Sequence, residues 1–330
     1  MAVLVTGGAG YIGSHMVWEL LDGGDDVVVL DRLSTGFEWA VAPEAKLVVG
    51  DIGDIELVKS IVAEHKIDAM IHFAGSIVVP ESVSDPLGYY QNNTTKTRDL
   101  LEAAITSGVP HFIFSSTAAV YGGAGSEPVR EDAPLHPESP YGRSKLMTEW
   151  MLQDAARAHP LKYTILRYFN VAGADPKGRT GQSTPGATHL IKVACETALG
   201  KRASMNVFGT DYATPDGTCL RDYIHVSDLA AAHRLALQRL REGGDSLLAN
   251  CGYGHGYSVL EVVDAVRRVR GADFDVRLSE RRPGDPAAIV ANSERARAEL
   301  GWQPRHDDLD AIVADALAWE AALSRRNSSK

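Results

Sequence analysis

The run Ser139-Pro140-Tyr141-Gly142-Arg143-Ser144-Lys145 sets a phenol and an ammonium four residues apart. In a helix that spacing puts both side chains on one face. Ser139 suits an N-cap and Pro140 the first helical position, which supports a helix starting here. A phenol with its usual pKa of ~10 is a poor base at neutral pH. A neighbouring cation favours the phenolate and lowers that value, so Lys145 can turn Tyr141 into a proton acceptor. Phe114-Ser115-Ser116-Thr117 closes a strand-like run, and Thr117 can hydrogen-bond the same substrate oxygen as Tyr141. Thr117, Tyr141 and Lys145 are therefore the candidate catalytic residues, although many surface helices carry the Tyr/Lys spacing without using it.

The N-terminal segment supplies the context. Gly7-Gly8-Ala9-Gly10-Tyr11-Ile12-Gly13 separates the β-branched run Ala2–Thr6 from a segment with helical periodicity. Glycines at 7, 10 and 13 permit a tight turn, close backbone approach to a pyrophosphate, and close helix–strand packing. The helix start behind them offers free N–H groups and a positive dipole end. Asp31 ends the second strand, 18 residues beyond Gly13, where a carboxylate can accept from adenosine ribose hydroxyls. Its charge would repel a 2′-phosphate, so NAD is the expected cofactor; Arg32 could stack on adenine or attract that phosphate. Asp51-Ile52 and Phe73-Ala74-Gly75 end the third and fourth strands, where a doubly wound sheet binds its ligand.

The elements that must position these groups alternate in type. Strands are expected at Ala2–Thr6, Val27–Asp31, Leu47–Gly50, Ala69–Phe73, His111–Ser115 and Tyr163–Tyr168, with helices at Ile55–Lys66 and Thr94–Ser107 between them. The strands are nearly continuous apolar runs, as in a parallel sheet covered by helices on both faces. The second half is α+β: a Gly/Pro-rich loop over Asp175–Gly186, a helix over Thr188–Leu199, a strand at Met205–Phe208, and a capping box at Ser258 opening another helix. Two final helices are expected near Glu294–Leu300 and Leu309–Leu323. The fold class is α/β, a Rossmann-like doubly wound parallel sheet with a smaller α+β substrate-binding lobe. Residues 1–170 with about 222–250 would form the NAD-binding domain, and 171–221 with about 251–330 the second domain.

Composition narrows the function classes. The 330 residues are 45% hydrophobic and 23% charged, with net charge −10 and no basic face for nucleic acid. There is no apolar run of membrane-spanning length, no N-terminal signal pattern and no metal-ligand spacing among Cys195, Cys219 and Cys251. A cytoplasmic protein with reduced thiols and no metal is expected.

Taken in order, GGxGYIGSH, the strand-ending Asp31, FSSTAAVYG, SPYGRSK, LRYFNVAG, LRDYIHVSDLA and RRPGDP resemble the UDP-glucose (UDP-galactose) 4-epimerase family of extended short-chain dehydrogenases. The resemblance runs from about Val3 to Trp302. It implies that Tyr141 takes the proton of a sugar 4-hydroxyl while C4 gives hydride to tightly held NAD. A 4-keto sugar then turns about its diphosphate link and is reduced on its other face. Thr117, Tyr141 and Lys145 match the family's catalytic Ser/Thr, Tyr and Lys. Gly7, Gly10, Tyr11, Ile12, Gly13, Asp31, Arg32, Asp51, Ile52, Phe73, Ala74, Gly75, Asn92, Ser115 and Tyr168 match cofactor contacts, together with Tyr141 and Lys145. Asn170, His189, Leu190, Asn206, Phe208, Arg221, Tyr223, Arg282, Asp285 and Ile289 match the segments that hold the UDP-sugar. Arginines suit a diphosphate and an aromatic suits uracil, although Arg221 could instead pair with Asp222.

Three departures from the pattern matter. Ile77 stands where well-known bacterial members carry a lysine near the cofactor, His189 stands for an asparagine, and Ile289 replaces the residue beside the sugar's 2-substituent. Tyrosine at that last position excludes an N-acetyl group and a small residue admits it. UDP-galactose/UDP-glucose is thus the expected pair, with some turnover of the N-acetylated pair. UDP-GlcNAc/GalNAc, UDP-xylose/arabinose or a UDP-uronic acid as main substrate is the alternative. Ala118 and Ala119 follow Thr117 where dehydratases need a carboxylate pair, which argues against dehydration. The resemblance also implies a homodimer joined through the Thr94–Ser107 and Tyr141–Ala158 helices.

Overall fold

The computed structural model describes residues 1–123, 127–282 and 285–327. In the first half, strands β1 (Ala2–Thr6), β2 (Asp26–Asp31), β3 (Lys46–Val49), β4 (Ile67–His72), β5 (His111–Thr117) and β6 (Lys162–Tyr168) alternate with helices, except that β2 and β3 are joined without an α-helix. Those helices are α1 (Tyr11–Asp22), α2 (Ile55–His65), the short α3 (Val79–Ser84) and α4 (Pro86–Tyr89), α5 (Lys96–Thr106) and α6 (Pro140–Ala158). The second half adds strands β7 (Asn170–Ala172), β8 (Met205–Phe208), β9 (Leu220–Arg221), β10 (Tyr223–His225), β11 (Leu247–Cys251), β12 (Tyr257–Ser258), β13 (Val276–Ser279) and β14 (Ala288–Ile289). Its helices are α7 (Leu190–Ala198), α8 (Val226–Arg241), α9 (Val259–Arg270), α10 (Glu294–Leu300) and α11 (Leu309–Asn327).

The central sheet has the order β11-β6-β5-β4-β1-β2-β3, and its neighbouring strands all run parallel. Alternate residues of each strand feed opposite cores, as the period of two requires. Val3, Val5, Val29, Ile71, Ile113 and Leu166 pack with Met16, Val17 and Leu20 of α1 and with Leu229, Ala236 and Leu240 of α8. Leu4, Val28, Leu30, Met70, Phe112, Phe114 and Ile165 pack on the other face with Val58, Ile61, Leu100, Leu101 and Leu152 of α2, α5 and α6. This is a Rossmann-like doubly wound sheet. Its strand order reverses between β1 and β4, which opens the crevice where such sheets bind ligands.

Two features go beyond the reading of the sequence. A seventh strand, β11, and its crossover helix α8 complete the sheet after the chain has left it for the second lobe. The predicted helix at Thr94–Ser107 is α-helical only over Lys96–Thr106, because Tyr90–Thr95 winds as a π-helix. The wider turn frees the Asn93 carbonyl, which accepts from the hydroxyls of Thr97 (2.7 Å) and Thr148 (3.2 Å). The capping box at Ser258 forms as expected. Among the described residues no helix is long and apolar enough to cross a membrane.

Candidate active site

The glycine loop is shaped by contacts that exclude side chains. Gly7 has φ +75°, and a Cβ there would lie 2.6 Å from the Ala74 nitrogen. A Cβ on Gly13 would collide with the Gly7 carbonyl oxygen, and one on Gly10 would sit 3.3 Å from it. The loop therefore lies flat between β1 and the end of β4, with the α1 N-terminus behind it. Asp31 is held at its edge: Oδ2 accepts from Ala9 N (3.0 Å) and Oδ1 from Leu33 N (2.8 Å). Phe37 N donates to Ala9 O (3.0 Å), folding the segment after β2 onto the loop. Ala9, Gly10 and Tyr11 face Thr35, Phe37 and Ala40 across a shallow hollow. This is a cradle that a Cβ would fill, next to a ribose-type carboxylate, and it fits a dinucleotide such as NAD.

Other predicted cofactor residues gather along the same crevice. Ser115 Oγ donates to Tyr168 OH (2.6 Å), and Phe73 and Tyr168 flank the buried His233 ring at 4.9 and 6.4 Å. A Cβ on Gly75 would stand 3.0 Å from Asn93 Oδ1 and 3.7 Å from Lys145 Nζ. Asn92 Nδ2 donates to Ser76 Oγ (2.9 Å), while Asn93 clamps the Ser76 backbone by accepting from its N–H and donating to its carbonyl. The side chains of Ile12 and Ile52 pack into the two cores. Arg32 lies 3.9 Å from Asp51, whose carboxylate takes a 2.5 Å hydrogen bond from Lys96. Burial works to raise the Asp51 carboxyl, but Lys96, Gly53 N and Arg32 outweigh it and hold it below its ordinary value. Ile77 is half exposed, at 50%.

The three catalytic candidates meet at the end of β5. Ser139 Oγ caps α6 by accepting from Gly142 N (3.1 Å), which fixes Tyr141 in the first turn and Lys145 one turn on. Gly142 was not singled out by the sequence, yet a Cβ there would come within 2.6 Å of the Ala119 carbonyl. Its bareness lets the start of α6 press against the turn after Thr117. Tyr141, Lys145 and Thr117 are 8%, 4% and 8% exposed. Lys145 Nζ donates to the Ser115 carbonyl (3.0 Å) and lies 4.9 Å from the centre of the Phe114 ring.

Burial dominates the electrostatics of Tyr141 in the chain alone. Its phenol is raised by burial, against which the hydrogen bond with Thr117 pulls it down; Lys145 is not among the groups that move it. Burial acts on Lys145 as well, lowering it from 10.5 to about 8 against the pull of the Glu149 carboxylate. Desolvation is the largest influence on both groups in the chain alone.

The substrate candidates lie mainly in the second lobe. Tyr11, Asn170, His189, Leu190 and Tyr223 border one cleft, which Tyr141 does not line. Tyr223 pairs with Asn170 in the β10/β7 register, and Arg221 with Ile289 in β9/β14. Arg221 Nη2 stands 3.7 Å from Asp285, not on Asp222 as the alternative allowed. Asp222 instead accepts from the backbone of Tyr253, Gly254 and Ala291. Arg282 stacks over Phe208 at 3.7 Å, while Pro283 and Gly284 of the same motif lie outside the described residues. Asn206 is exposed on β8, two residues from Phe208 and on the same strand face. His189 is lowered by burial first and Lys192 second, which keeps its ring neutral. Ile289 is 8% exposed and packs with Ala118, Tyr121 and Phe169.

One cluster has a ligand-like composition. His225, His306 and Asp315 offer atoms within 4.8 Å of one another. His225 Nδ1 accepts from Ser227 N, so in the neutral ring Nε2 carries the proton and faces Asp315 Oδ2 at 3.2 Å. The cluster is thereby satisfied as a structural hydrogen bond.

Comparisons with known proteins agree with this geometry. A model of the NAD dependent epimerase/dehydratase family matches residues 3–252. The chain is 59% identical over 323 residues to a UDP-glucose 4-epimerase of Azospirillum brasilense, a match covering 98% of this chain and 93% of the relative. It resembles the crystal structure of UDP-glucose 4-epimerase from Brucella ovis in complex with NAD at TM-score 0.94 and 44% identity, covering 96% of this chain and 97% of the other. The UDP-Glc/GlcNAc 4-epimerase of Campylobacter jejuni is similar at TM-score 0.85 and 48% identity, covering 97% and 99%.

Proposed function

The chain belongs to the NAD dependent epimerase/dehydratase family, and from that premise we propose that it interconverts UDP-galactose and UDP-glucose by inverting C4. The observation that carries this reading is the buried Thr117–Tyr141–Lys145 group at the end of β5, followed by Ala118 and Ala119 in place of acids. NAD, when bound, supplies a reversible hydride acceptor for the sugar C4.

The chain's own residues do the rest. The glycine loop and the start of α1 receive the pyrophosphate through backbone N–H groups. Asp31 accepts from the adenosine ribose, and its charge selects against a 2′-phosphate. Thr117 and Tyr141 hold the 4-hydroxyl between them, Tyr141 takes its proton, and it returns the proton after the 4-keto sugar has turned. Lys145 holds positive charge beside that exchange and donates toward the nicotinamide ribose. Arg221, Arg282 and Phe208 grip the diphosphate and the uracil, which leaves the sugar free to rotate. In this reading residues 1–170 with about 222–250 hold NAD, and 171–221 with about 251–330 hold the UDP-sugar.

The N-acetylated pair is a secondary substrate, since Ile289 is smaller than a tyrosine beside the 2-substituent. The protein works in the cytoplasm as a homodimer through α5 and α6; Met147 and Trp150 on α6 are 37% and 52% exposed, an apolar surface suited to a second copy. Purified protein incubated with UDP-galactose and no added reductant should yield UDP-glucose. Absence of that product, with or without added NAD, would sink the reading.

A further inference from the structure

Behind the catalytic trio lies a charged group that the reaction itself does not use. Glu149 sits on α6 one turn beyond Lys145 and is fully buried, at 0% exposure. Its Oε1 accepts from Ser116 Oγ (2.5 Å) and Arg167 Nε (2.9 Å), and its Oε2 from Arg167 Nη2 (2.6 Å). Ser116 and Arg167 are register partners on β5 and β6, so one carboxylate ties α6 to two adjacent strands. Arg167 is 2% exposed and continues to Tyr121 OH (2.9 Å), which donates to Asn250 Oδ1 (2.7 Å) on β11.

The position of Ser116 gives this link its meaning. On one side of it is Ser115, whose carbonyl accepts from Lys145; on the other is Thr117, whose side chain pulls the Tyr141 phenol down against its burial. We infer that Glu149 is a positioning residue for the epimerase reaction, holding the end of β5 in register with α6 so that Thr117, Tyr141 and Lys145 meet, and setting a negative charge one turn from the Lys145 ammonium. This rests on the epimerase reading for its activity arm.

Lys145 needs that charge. The other titratable or charged groups around it are Tyr141 on its own helix, His72 on β4, and Arg167 and Tyr168 on β6. None of these is an anion at neutral pH. Burial, and then Lys145 itself, lower His72 to about 3, so its ring is neutral. Burial raises the Tyr168 phenol. Glu149 is the one group that raises Lys145 against its burial. A glutamine at 149 could still accept from Ser116 but would set an NH₂ against Arg167 Nη2, so it removes the charge and keeps part of the geometry.

The test compares Glu149→Gln and the double variant Glu149→Gln/Arg167→Met with the wild-type holoenzyme. The double variant covers the case in which a lone Arg167 prevents folding. Two quantities are followed against pH: the side-chain ¹³Cε resonance of Lys145 in lysine-labelled protein, and kcat and KM for UDP-galactose. In the folded variants the Lys145 midpoint should fall by roughly one pH unit, more in the single variant than in the double. The alkaline limb of kcat should move down with it, with kcat at pH 8 reduced roughly tenfold and KM within about twofold. A folded variant that keeps both the wild-type Lys145 midpoint and the wild-type alkaline limb would overturn the inference. Failure of the wild type to turn over UDP-galactose would instead remove the epimerase reading, and the Lys145 midpoint would still decide the role of Glu149.

Discussion

Lys145 reaches from α6 to the main-chain carbonyl oxygen of Ser115 at 3.0 Å, not to a carboxylate. Among the described residues it has no ion pair, and its nearest aromatic face is Phe114 at 4.9 Å. Its charge is therefore held in the interior at the expense of stability, which makes the fold sensitive to pH through this group.

Replacing Lys145 by methionine should abolish epimerisation yet stabilise the fold near pH 7. Burial lowers the folded-state value from 10.5 to about 8, so the unfolded chain binds more protons between those limits. Stability then rises with pH across that window, and the penalty is fully present below pH ~8. Urea unfolding at pH 7 should show the methionine variant ahead by up to about 3 kcal/mol. The gap should close toward pH ~10.5, and an unchanged gap across the window would contradict the assignment.

Tyr141→Phe should leave the fold within about 1 kcal/mol of wild type, since only the hydroxyl of a buried ring is removed. Turnover of UDP-galactose should fall by about 10²–10⁴-fold, the usual worth of a proton-transferring side chain. Melting curves and initial rates on the same preparation separate the two effects. A phenylalanine variant with more than a tenth of wild-type kcat would remove Tyr141 from the chemistry.

Asp31→Asn should move cofactor preference toward NADP. The amide can still accept from Ala9 or Leu33 but no longer repels a 2′-phosphate, while Arg32 remains alongside. The NADP/NAD ratio of dissociation constants, measured by calorimetry on nucleotide-stripped protein, should improve at least about tenfold. No change in that ratio would assign Asp31 to the loop structure alone.

Ile289 should set the ratio of N-acetylated to plain substrate. Ile289→Tyr is expected to cut relative turnover of UDP-N-acetylglucosamine by about 10-fold or more, the scale of one pocket contact, and Ile289→Ala to raise it. Competing both sugars in one reaction cancels any loss of folded protein, which overpacking against Phe169 could cause. Equal ratios in all three proteins would place the 2-substituent elsewhere.

Much of this was legible in the chain because it depends on local spacing. The alternation of apolar strands and periodic helices specified a doubly wound parallel sheet. Gly7, Gly10, Gly13 and Asp31 marked a tight loop between a strand and a helix with a carboxylate at its edge, and Ser139-Pro140-Tyr141 with Lys145 marked a capped helix carrying its two groups on one face. Cap and turn chemistry act over three or four residues, which is the range a sequence displays directly.

What the tertiary structure decided is pairing over long separations and the balance of desolvation against charge. Lys96 on Asp51, Asp285 on Arg221, and Arg167 on Glu149 join residues 18 to 64 positions apart, which no spacing rule connects. The Tyr141–Lys145–Glu149 progression was visible as two steps of four, but only folding shows that the carboxylate is turned to Ser116 and Arg167. β11 likewise joins the sheet only after a long excursion through the second lobe. The sequence by itself placed the phenol and the ammonium side by side. Their burial, through which the interior penalises both ionised forms, belongs to the folded protein.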